Sequence, residues 1–171
     1  MKPARIGLLV TTFGAAFCLS CLYLAMRGLM RLGGQVSSGV VRGGAPGWIW
    51  VVPVSIILGL VMIFASIFMN QRAEGVNIAM PAWSALFLSL GWNFLDFGFN
   101  PQGLMDGPGP IGGFVACGVT FVIMGAIPVG LMLKNWRSIL KGVNESLLIF
   151  QLAAAGLGVF AAVKFLSSLN R

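Results

Sequence analysis

Glu74, Asp96, Asp106 and Glu145 are the whole acidic inventory of this chain, and no two of them stand at short spacing. There is no histidine, and Tyr23 is the single tyrosine. General acid–base catalysis and transition-metal binding draw mainly on such side chains, so the sequence predicts a non-enzymatic protein with no cofactor and no metal site. The cysteines do not alter this. Cys18 and Cys21 share a face of one apolar run and Cys117 lies in another. They read as small packing residues, with no disulfide framework legible.

The polar group with the most chemical interest is Trp92-Asn93-Phe94-Leu95-Asp96. Asn93 and Asp96 are three residues apart and therefore share a helical face. An ionisable residue at membrane depth is a candidate for an ion, proton or substrate path. The competing expectation is that Asp96 sits in the interface and pairs with Arg27, Arg31 or Arg42. Gln151 is the other polar side chain expected inside an apolar segment. Between Asn100 and Pro110 runs a connector of turn formers, with a strong turn signal at Asp106-Gly107. Its glycines do not make a phosphate-cradling loop, because the lysine and the strand-to-helix setting are missing.

These residues have to be positioned by membrane helices. Hydrophobic residues make up 58% of the 171 and charged residues only 9%, and the mean hydropathy is +0.94. About 20 apolar residues cross a hydrocarbon layer of roughly 30 Å, and the sequence predicts five such spans, near 6–26, 48–69, 77–99, 111–133 and 146–166. The fold class is an all-α polytopic membrane protein forming one helical domain. Four spans with a membrane-associated C-terminal helix is the alternative. The basic start before Ile6 resembles a secretory signal, but the apolar run is too long and Phe17 occupies a position where a small residue is expected.

Between the first two spans, Gly28, Gly33, Gly34, Gly39, Gly43, Gly44 and Gly47 argue against a long helix. Trp48 and Trp50 open the second span as interfacial indoles. Asn77 and Asn144 are candidate helix caps. Pro128 withholds a donor from the carbonyl of Met124 and predicts a kink in the fourth span. The connectors Arg27 to Gly47 and Asn100 to Pro110 are expected to form a cap on one side of a bundle.

Small residues recur every four positions at Ala154, Gly158 and Ala162, and the pairs Gly112 with Ala116 and Gly113 with Cys117 repeat the spacing. Such stripes let helix backbones approach closely, inside a bundle or against a partner. The net charge of +7 belongs to residues at span ends, which face headgroups rather than nucleic acid. With the N-terminus inside, Lys2, Arg5, Arg72, Lys134, Arg137 and Lys141 are cytoplasmic, six against the five of Arg27, Arg31, Arg42, Lys164 and Arg171. Local contrast is sharper: no Lys or Arg precedes the fourth span between Phe97 and Pro110, and three follow it within eight residues.

The functional expectation is an accessory or scaffolding subunit of a complex in a plasma or bacterial inner membrane, with lipid and a membrane-protein partner or a second copy as its contacts. The alternative is a small oligomeric transporter or channel with Asn93 and Asp96 lining the path.

Overall fold

The computed structural model describes residues 3–37, 47–100 and 110–169, and over 31–37 the backbone alone. All regular structure among the described residues is helical: α1 (Pro3–Ser37), α2 (Val51–Ala73), α3 (Ala79–Phe99), α4 (Gly112–Lys134), α5 (Trp136–Leu140) and α6 (Glu145–Leu169). Four helices are long and apolar enough to cross a membrane, within Pro3–Met30, Val51–Ala73, Gly112–Lys134 and Glu145–Leu169. The fifth expected span, α3, is 21 residues long but carries Pro81, Asn93 and Asp96, which lower its hydropathy, and it accounts for the difference between four and the expected five.

A second correction concerns the first connector. α1 does not stop at Met26 but continues through Gly28, Gly33 and Gly34 to Ser37. Each glycine costs about 1 kcal/mol against alanine in a helix, yet extending a helix already nucleated over many turns adds a hydrogen bond per residue. At Gly28 there is a packing reason too, since a β-carbon there would lie 2.9 Å from the indole ring of Trp48.

α1 is the centre of the molecule. α2 packs antiparallel to it, with Gly14 against Met62 and Gly28 against Trp48. α6 runs parallel to it, with Leu147 beside Leu8, and Ala162 and Leu166 beside Cys21 and Ala25. α3 also runs parallel to it, with Ala82 near Ala15 and Asn93 near Tyr23. α2 and α3 are neighbours as expected, but their contact is slight, and α4 packs only on α3 and, at its end, α5. Every long helix therefore has one end near Glu74 and the other near Asp96.

The α3–α4 hairpin is built on a repeat of alternating three- and four-residue steps. Leu88, Gly91, Leu95 and Gly98 on α3 face Gly125, Val122, Gly118 and Val115 on α4. Each glycine receives a branched side chain from the other helix, and a β-carbon on Gly91 would lie 2.8 Å from the backbone nitrogen of Val122. Phe94 sits across this seam with ring centroids 5.6 Å from Phe114 and 5.4 Å from Phe121.

Candidate functional site

On α1, Tyr23 and Arg27 are one turn apart, and Asn93 and Asp96 on α3 with Asn100 at its C-cap follow at helical spacing, so parallel packing brings the two sets together. The Asn93 side chain is 2% exposed, and its Nδ2 donates to the carbonyl of Tyr23 at 3.3 Å. Arg27 donates through Nη1 to the Tyr23 hydroxyl at 3.0 Å and holds Nη2 3.7 Å from Oδ2 of Asp96. Asn100 Nδ2 completes the group, 3.4 Å from Oδ1 of Asp96.

Of the arginines expected to face Asp96, Arg27 does so. Arg42 and Asp106 lie outside the described residues, as does the side chain of Arg31 and most of the expected cap. The side chains of Arg27 and Asp96 are 37% and 39% exposed, at the level where Trp48 covers Gly28. An ion pair this exposed contributes about 0–1 kcal/mol. Asn93, one turn deeper and buried, is the part of the group that needs its partner.

Gln151 is not part of this cluster. It lies at the Glu74 end, 4% exposed, and its amide accepts from the Val76 N–H at 2.9 Å and donates to the Val76 carbonyl at 3.0 Å. Sequence reasoning missed what surrounds it. α2 ends at Glu74 in the left-handed conformation, with φ of 60°, whose carboxylate meets Arg5 at 2.8 Å. The Glu74 carbonyl accepts from the backbone N–H of Asn144 at 3.1 Å, while Asn144 Oδ1 caps α6 at the Leu147 N–H. Gly75 has no room for a side chain, because a β-carbon would meet Leu8, Leu147 and Gln151. A polar residue isolated in an apolar span signals that a partner is needed, but nothing in the sequence points to Val76.

The two small-residue stripes have different fates. Gly158 faces the backbone of α1, where a β-carbon would lie 2.5 Å from the Phe13 carbonyl oxygen, and Ala162 is fully buried, with Ala154 half-buried on the same helix. Among the described residues nothing lies near Gly112 and Gly113, and Ala116 and Cys117 are exposed. α4 meets α3 instead through Gly118 and Gly125. Those two glycines were not singled out, although their seven-residue spacing, matched by Gly91 and Gly98, is a readable signal. α4 runs unbroken through Pro128.

Between α3 and α6, with α1 as its floor, a groove of about 350 Å³ is lined mainly by small and aliphatic residues such as Ala15, Ala16, Ala85 and Ala155. Among the described residues no three His, Cys, Asp or Glu side chains gather where a metal ion could be held. The two buried amides join segments: Asn93 and Gln151 are each bonded to a backbone group of another segment. Compared with family models, curated proteins and solved structures, the chain matches none, so its function has to be read from these residues.

Proposed function

We propose that this chain is a non-enzymatic accessory subunit that binds a membrane-protein partner through the outward face of α4. The observation that carries the reading is the split between the two stripes. The protein's own packing uses Gly158 and Ala162, whereas Gly112, Gly113, Ala116 and Cys117 expose a backbone-accessible strip that α4 does not need in order to meet α3. The engagement of Asn93 and Gln151 with backbone groups supports it further, since these amides would otherwise be the means of lining a path.

In this reading α3 crosses the membrane beside α4, because the two are in register from Leu88 to Gly98. The N-terminus faces the cytoplasm of a plasma or bacterial inner membrane, placing Lys134, Arg137 and Lys141 on the cytoplasmic side.

The test is purification of the tagged chain from its native membrane in a gentle detergent, followed by the mass of the intact assembly. Gly112→Leu with Gly113→Leu is expected to release the partner while the chain stays folded, and a thiol-directed cross-linker on Cys117, the exposed cysteine, should capture it. Gly158→Leu is unsuitable here, as it strikes the α1–α6 packing. A lone chain or homo-oligomer in the native membrane would sink this reading. If that species carried a flux abolished by Asp96→Asn, a transporter would replace it.

A further inference from the structure

We propose that the α4–α6 connector, from Lys134 to Lys141, binds the headgroup of an anionic phospholipid. α4 closes at Asn135, whose backbone N–H and Nδ2 both donate to the Leu131 carbonyl at 3.0 Å. The single turn of α5 follows, and Gly142, with φ of 85°, redirects the chain toward Asn144 and α6. This folding sorts the side chains. Ile139, Leu140 and Val143 are half-buried, while Lys134, Trp136, Arg137 and Lys141 are exposed.

Three exposed cations thus fall within eight residues, and none of them is in an ion pair among the described residues. The nearest acid along the chain is Glu145, in the first turn of α6, so the connector carries three cations against one carboxylate. Of the two ion pairs among the described residues, Arg27 with Asp96 is at the opposite end, and Glu74, bonded through its carbonyl to Asn144, is already paired with Arg5. The cations sit directly at the end of an apolar spanning helix, so they meet the plane of lipid phosphates. Trp136, 58% exposed, and Leu133, 70% exposed, put an indole and an aliphatic chain at the headgroup–acyl boundary where such groups settle.

A guanidinium matches a phosphate in two-point geometry, and lysines add charge without directional demand. A zwitterionic headgroup brings its own cation and gains little, so the surface selects lipids of net negative charge. Three basic groups near the surface correspond to local enrichment on the order of tenfold or more at low salt, weakening as salt rises.

The test uses the full chain in nanodiscs of phosphatidylcholine with a minority of phosphatidylglycerol. Quenching of Trp136 by dibrominated phosphatidylglycerol is compared with quenching by dibrominated phosphatidylcholine at equal mole fraction. The difference between wild type and Trp136→Phe isolates this indole from the others. Stronger quenching by the anionic lipid is expected, lost in the Lys134→Gln, Arg137→Gln, Lys141→Gln triple variant and at high salt, and retained in Lys164→Gln at the opposite end. Equal quenching by the two lipids overturns the proposal, as does an excess that survives the triple variant. If the triple variant sheds a co-purified protein while lipid preference is unchanged, the cations serve an acidic protein segment and the lipid assignment is wrong. Should the triple variant fail to fold, the salt series on wild type and the single substitutions decide.

Discussion

Two buried amides hold helices together here, and their chemistry predicts different costs. Gln151 satisfies both the N–H and the carbonyl of Val76, so Gln151→Leu leaves two peptide groups unpaired in an apolar setting, at about 2–3 kcal/mol. Asn93 makes one longer bond to a helical carbonyl, and interhelical bonds of that kind average about 0.6 kcal/mol in membrane proteins. Reversible unfolding in mixed micelles should therefore rank Gln151→Leu as clearly the more damaging. The opposite order would mean that the Asp96 end, not the Glu74 end, anchors the fold. Both amides were visible in the sequence as polar residues in apolar runs. Their partners were not, because a backbone group on another segment carries no sequence label.

At the level of elements, the α3–α4 seam tests whether glycine position, rather than glycine content, decides packing. Gly118→Leu forces its side chain into Leu95, where a β-carbon alone would lie 2.9 Å from the Leu95 backbone nitrogen. The helices must separate, at a cost of about 1–3 kcal/mol or more. Gly113→Leu, on the same helix five residues earlier, meets none of the described residues and should leave thermal stability in detergent unchanged. Equal destabilisation by both variants would refute the assigned faces of α4. Helix existence and approximate limits followed from apolar length, and α2, α4 and α6 came within a few residues of expectation. α1 did not, since glycine content was weighed against helix while cooperativity extended it past Gly34.

For the whole molecule, parallel packing of α1 and α6 places the C-terminal end of α6 beside Ala25 and Trp48, away from the N-terminal end of α1. Reporter tags fused before Pro3 and after Leu169 should consequently be reached by protease or impermeant label from opposite sides of oriented vesicles. Access to both from the same side would exclude five crossings. The arrangement also sets the centre of the molecule at α1, which alone touches α2, α3 and α6. α4, by contrast, packs among the described long helices on α3 alone, and this is what leaves its small-residue face open.

Membrane residence, the all-helical class and the approximate places where helices begin and end were determined by local sequence. Transfer of apolar segments into lipid and satisfaction of backbone hydrogen bonds depend on composition and length within each segment. Which faces meet was decided only in three dimensions. In lipid, one apolar face is nearly as favourable as another, so contact depends on close steric fit and a few polar pins. That is why Gly158 packs inside while Gly113 faces out, and why Gln151 joins Val76 rather than the cluster around Asp96.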